Sequence, residues 1–146
     1  MNIVKLDPER KRLLVEALRA GEYQQAHRAL TDGTGYCCYG VACKLAEAPL
    51  TVVDNRRYFG KGGVDARYDN LPKSVSAWLG ISTESYRDGR IYIPIYESDP
   101  EDLQGMSSFG LSDKDVALDT LNDALDDDEK PMFPFERIAA LIEERL

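Results

Sequence analysis

Residues 35–48 read Gly-Tyr-Cys-Cys-Tyr-Gly-Val-Ala-Cys-Lys-Leu-Ala-Glu-Ala, and Pro49 follows. From Cys38 the apolar positions are Cys38, Val41, Ala42, Leu45 and Ala46. That spacing predicts a helix. It stops before Pro49, because the residue preceding a proline avoids the helical region. Upstream, Asp7-Pro8 reads as an N-cap and a first-turn proline. Leu13, Leu14, Ala17 and Leu18 continue at helical spacing, with Gly21 as the stop. Residues 22–30 carry Tyr23, Ala26, His27 and Leu30 on one face and predict a second, short helix. Residues 31–35 are turn-rich.

Downstream, residues 50–53 are apolar and β-branched, the signature of a short strand. Residues 55–64 hold no acid and combine Arg56, Arg57 and Lys61 with Tyr58, Phe59 and three glycines, as a basic loop. Leu71-Pro72 opens a short helix through Val75, Trp78 and Leu79, capped by Gly80. Residues 90–97 alternate as a strand, and Pro94 confines it to an edge or divides it. Residues 98–111 read as a loop. Ser112-Asp113-Lys114-Asp115 reads as the acidic first turn of a helix carrying Val116, Ala117, Leu118, Leu121, Ala124 and Leu125. A break at 126–134 precedes a last helix with Phe135, Ile138, Ala139, Leu141 and Ile142 inward.

The expected fold class is α+β: a mostly helical single domain, residues 1–146, with a small antiparallel sheet. The expected core is Cys38, Val41, Leu45, Trp78, Leu121, Ile138 and Ile142.

The 146 residues are 43% apolar and 30% charged, ordinary for a soluble globular domain. No apolar run reaches the ~20 residues of a membrane span, so no membrane partner is expected. The first residues lack a secretory pattern, which points to a cytoplasmic location. The net charge of −8 is uneven. Residues 97–129 hold twelve acids and one base, a net of −11, which leaves +3 for the rest. Such a segment repels phosphate, so direct nucleic-acid binding is not expected. Through Asp115, Asp119, Asp123, Asp126 and Asp127 it could instead attract a basic protein, or act as a decoy of nucleic acid; otherwise it is a solvated face.

Cys37, Cys38 and Cys43 form an odd set that a reducing cytoplasm keeps as thiols. If Cys38 and Cys43 share a helix, they point ~140° apart, and Cys37 and Cys43 ~120° apart. One metal cannot collect ligands that diverge so far, so no metal and no cofactor is expected. Packing is the plainer role for these thiols. The catalytic alternative places Cys37 or Cys38 at a helix start with His27, the single histidine, as its base. No residue set otherwise marks a catalytic centre. Arg56, Arg57, Tyr58 and Lys61 form the candidate ligand site. Guanidinium forks fit phosphate, aromatics stack bases, and glycines admit an anion to the backbone. The stretch lacks the Lys-Ser/Thr ending of a nucleotide P-loop. Residues 119–129 offer no glycine at the sixth position of a calcium loop.

Several stretches fall in an order seen elsewhere. They are Leu18, Arg19, Gly21, Tyr23 and Gln25; Cys37, Cys38, Gly40, Val41 and Cys43; Leu71, Pro72, Trp78, Leu79 and Gly80; and Leu121, Asn122, Asp123, Phe135, Ile138, Ala139 and Ile142. Together they resemble a widespread family of small proteins of tailed phages and prophages. Tyr39 stands where that family usually has leucine, residues 125–132 lengthen its last loop, and residues 56–63 lie outside its pattern. The resemblance implies a host context and no activity. By analogy, it suggests a phage accessory protein in the cytoplasm of the bacterial host. The expected function is binding that counters a defence system, by holding a nucleotide-like signal or by masking a basic host protein.

Overall fold

In the computed structural model, residues 5–81, 89–110 and 114–146 are described. Asp7 caps helix α1 (Pro8–Arg19): its Oδ1 accepts the Arg10 N–H at 3.0 Å, and Pro8 supplies the fixed first-turn φ. Leu14, Val15 and Leu18 form its buried face. Gly21, at φ 75°, turns the chain out of the helix.

Helix α2 (Cys38–Leu45) occupies the centre, and all its residues from Cys38 to Cys43 are buried. Gly40 is required there. A Cβ on it would lie 1.9 Å from the Leu30 carbonyl oxygen, closer than any side chain can approach. Helix α6 (Phe135–Arg145) packs along α1 and brings in Ile138, Ala139, Leu141 and Ile142. Helix α5 (Leu118–Asp123) joins α2 and α6 through Leu118 and Leu121. Helix α3 (Lys73–Trp78) ends on Gly80 at φ 89° and buries Val75.

Among the described residues four short strands make two antiparallel pairs. Strands β1 (Leu50–Val53) and β2 (Arg56–Phe59) form a hairpin, with Leu50 opposite Phe59 and Val53 opposite Arg56. Its two-residue turn, Asp54-Asn55, has both φ angles positive (52° and 65°), as a tight hairpin with matching twist requires. Strand β3 (Tyr92–Pro94) pairs with β4 (Asp115–Ala117), and Pro94 stands at the end of the ladder. The result is the expected mostly helical α+β fold, with two small antiparallel sheets in place of one.

Four local expectations are corrected. Residues 22–30 are not helical. Arg28 has φ 65°, and the segment pairs with distant backbone: Ala26 N–H donates to Tyr36, Tyr36 N–H to Gln24 and Leu30 N–H to Tyr68. Residues 115–117 are a strand, because Val116 and Ala117 complete the ladder that Ile93 and Tyr92 open; Ser112 and Asp113 lie outside the described residues. Residues 56–59 are a strand of the hairpin. Residues 98–111 include a one-turn helix, α4 (Glu101–Gly105), whose Leu103 is buried and whose Asp102 grips Arg137 of α6 through two bonds of 2.6 and 2.7 Å.

The core holds Cys38, Val41, Leu121, Ile138 and Ile142 as expected. Leu45 and Trp78 are only partly buried, and the Arg10 guanidinium covers the Trp78 ring at 4.5 Å. Among the described residues the large fully buried rings are Tyr39, Phe59 and Phe133.

Candidate functional site

Gln25, Cys37, Cys38, Asn122 and Asp123 are brought to one place. Asn122 is fully buried. Its Nδ2 donates to the Ala26 carbonyl at 2.8 Å and to Asp123 Oδ1 at 3.1 Å. Its Oδ1 accepts from the Cys38 N–H at 3.2 Å and from Gln25 Nε2 at 3.3 Å. Cys37, the residue before α2, supplies no side-chain cap, so Asn122 caps that helix from a distance in sequence. His27 Nδ1 lies 2.8 Å from the Asn122 carbonyl. A carbonyl only accepts, so Nδ1 carries the proton.

The three thiols are buried and free. Burial pushes Cys37 up to about 12 and raises Cys38 and Cys43 as well. Thiols held in this way are protonated at neutral pH, which supports packing as their role. Among the described residues no three His, Cys, Asp or Glu side chains converge to hold a metal.

Tyr39 buries a phenol that is fully partnered. Its oxygen accepts the Ile91 N–H at 2.8 Å and donates to Asp119 Oδ1 at 3.0 Å, and Asp119 pairs with Arg90 at 3.1 Å. The expected acidic partner face is therefore largely consumed within the fold. Asp115 is buried at 3% exposure. Asp119 serves Tyr39 and Arg90, and Asp123 accepts the Arg28 N–H at 2.8 Å. Asp126 and Asp127 remain exposed in the turn at 126–130, where Asp126 accepts backbone N–H groups from Asp128 and Lys130.

The basic candidate is better assembled. A cleft of about 480 Å³ lies between the hairpin tip and the 28–32 loop; Arg28, Arg56, Arg57 and Tyr68 line it together with Asp32 and Asp54. The Arg56 guanidinium rests 4.2 Å from the Tyr68 ring centre, and Tyr58 meets Tyr68 edge-on at 5.9 Å. The Arg57 guanidinium packs over Gly33, where a Cβ would fall 2.7 Å from it. Asp32 turns its carboxylate into the loop, accepting the Thr34 and Gly35 N–H groups at 2.8 Å each, and these bonds lower its pKa. Arg12, Arg19, Arg90, Arg137 and Arg145 each hold a carboxylate. Among the described residues Arg28, Arg56 and Arg57 form no ion pair, and the Arg57 charge acts on Asp32 only from a distance.

Of the four expected ligand residues, Arg56 and Arg57 line the cleft and Tyr58 backs its aromatic wall. Lys61 lies past the far end of β2, where its N–H binds Asp65 at 2.7 Å, and is not a cleft residue. Arg28 and Tyr68 escaped the sequence reading. The Leu30 N–H to Tyr68 carbonyl bond, 2.7 Å, brings their segments together, and no local pattern announces it. A larger hollow beside α1, about 600 Å³, is lined by charges that already pair internally: Arg12 with Glu9 and Glu16, and Arg19 with Glu143.

No helix among the described residues is long and apolar enough to cross a membrane. Residues 6–146 match the model of the family described as a domain of unknown function, DUF8296, and the chain belongs to that family. No curated protein and no solved structure shows a significant match to it.

Proposed function

We propose that the chain works by binding, and that the cleft of Arg28, Arg56, Arg57 and Tyr68 receives a phosphate-bearing, nucleotide-like small molecule. One observation carries this reading. In a protein of net charge −8, three arginines that form no ion pair among the described residues line one cleft beside an aromatic ring, where only Asp32, already bound to backbone N–H groups, and Asp54 oppose them. Guanidiniums can fork onto phosphate oxygens, and Tyr68 or the Arg56 plane offers a surface for a base. The acidic segment elsewhere disfavours phosphate and steers it toward the cleft. In the phage setting that the sequence resembles, such a protein acts in the bacterial cytoplasm and removes a nucleotide-derived defence signal. Masking a basic host protein is the weaker reading, since only Asp126 and Asp127 of the expected acidic set stand exposed.

The test is a calorimetric screen of mononucleotides, cyclic mononucleotides and dinucleotides, with Arg56→Ala/Arg57→Ala beside the native protein. Each charge-assisted bond contributes ~1.5–3 kcal/mol, so the double change weakens binding by at least ~100-fold. No heat of binding across the panel, with a basic protein captured through the 126–130 turn, refutes the cleft reading and favours masking.

A further inference from the structure

We infer that β1 is a docking edge for a second copy of this chain, paired antiparallel about a two-fold axis at Thr51. The hydrogen-bond pattern fixes which groups face outward. Gly60 N–H donates to Pro49, and Phe59 exchanges both backbone bonds with Arg67 on the far side of β2. Residues 49, 51 and 53 therefore turn their backbone toward β2, and Leu50 and Val52 turn theirs away from it. Among the described residues nothing meets the outward N–H and C=O groups of Leu50 and Val52. All four β1 residues are exposed, with Leu50 at 51%, Val52 at 58% and Val53 at 50%. Leu-Thr-Val-Val holds no lysine, proline or acid, the devices that usually keep an exposed edge from pairing.

A second β1 fits this edge. With Thr51 on the axis, Leu50 of each copy faces Val52 of the other, and all four outward donors and acceptors on each strand are satisfied in two double-bonded pairs. The same register sets Val53 against Pro49, and residues 49–53 carry no charge, so no like charges meet within the paired strands. Antiparallel pairing also brings the turn that closes α2, with its exposed Glu47, to the end of the strands where the second copy carries its hairpin tip with Arg56 and Arg57. The product is a four-stranded sheet in the order β2-β1-β1-β2.

Sedimentation of the native protein and of Val52→Lys and Val64→Lys tests the pairing. The native chain should move to twice the monomer mass as concentration rises. Val52→Lys should stay monomeric with an unchanged melting curve, since the side chain is exposed. Val64→Lys, at an apolar site that is 94% exposed but off the edge, should dimerise as the native chain does. Register is tested by cysteine. Opposed Thr51 positions at a non-hydrogen-bonded pair lie ~4.5 Å apart between Cα atoms, within disulfide range. The two Val53 positions lie ~13 Å apart along the strands. Thr51→Cys should therefore form a covalent dimer under mild oxidation, and Val53→Cys should not. A native chain that is monomeric at millimolar concentration overturns the inference. So does a dimer that survives Val52→Lys, or one that fails to crosslink through Thr51→Cys.

Discussion

Asn122→Ala removes the side chain that ties residues 25–27, the start of α2 and the end of α5 to one another. The substitution leaves the Cys38 N–H without its acceptor and the Ala26 carbonyl without its donor. Both residues are buried, at 2% and 4% exposure, so water does not readily replace the lost partner. An orphaned buried group costs about 1–3 kcal/mol. Two of them, lessened by local relaxation, give an expected loss of about 3–5 kcal/mol, a large part of a typical domain's stability of about 5–15 kcal/mol. Asn122→Asp separates capping from charge. It retains an acceptor for Cys38 but loses the donor to Ala26, and it sets a carboxylate beside Asp123. At neutral pH it should be at least as damaging as alanine. Acid should relieve it, because a protonated carboxyl can donate to Ala26, and the gap to the native protein should narrow as pH falls. The assay is urea unfolding followed by circular dichroism at pH 7 and pH 5. Asn122→Ala within 0.5 kcal/mol of native, a margin typical of surface changes, would refute the assignment of this residue as the buried cap.

Four other outcomes follow from the packing. Burial keeps the thiols protonated, so Cys37, Cys38 and Cys43 should resist alkylation at pH 7 in the folded protein and label fully in denaturant, as mass spectrometry would show. Asp99→Ala should cost about 3–5 kcal/mol by thermal unfolding, because Arg145, with its side chain at 4% exposure, loses the carboxylate that binds it closely, keeps only the exposed Glu144 at 4.0 Å, and stays buried. The arginine partners hold Asp99 and Asp102 below the usual carboxylate range, so the unfolded chain takes up protons first. Their stabilisation is present above about pH 4 and fades as pH drops through the folded values, which acid titration of the melting temperature would register. Gly40→Ala should destabilise by about 3 kcal/mol or more, the upper end of overpacking, because its Cβ would collide with backbone at Leu30 and not with a movable side chain.

The helices with strong local signals were legible: the Asp7-Pro8 start of α1, the central α2, the Gly80 cap of α3 and the apolar face of α6 all stand where their residues place them. Residues 22–30 and 115–117 were not, although both carry helical spacing. Arg28 in the left-handed region and bonds from Ala26, Tyr36 and Leu30 to remote backbone override it in the first. Pairing with β3 overrides it in the second. The cleft was half legible for the same reason. Arg56, Arg57 and Tyr58 adjoin in sequence, whereas Arg28 and Tyr68 enter through tertiary contact. Charge count alone overstated the acidic face, since it cannot distinguish a carboxylate spent on Tyr39 and Arg90 from one left in solvent.

The most direct test of the central claim is a residue-resolved nuclear magnetic resonance titration of the ¹⁵N-labelled protein with the tightest nucleotide of the panel. Amide shifts should concentrate at residues 28–32, 54–57 and 68 and saturate together, and they should vanish in Arg56→Ala/Arg57→Ala. Saturable shifts centred on the 126–130 turn or on the α1 hollow, with the cleft unmoved, would contradict the account.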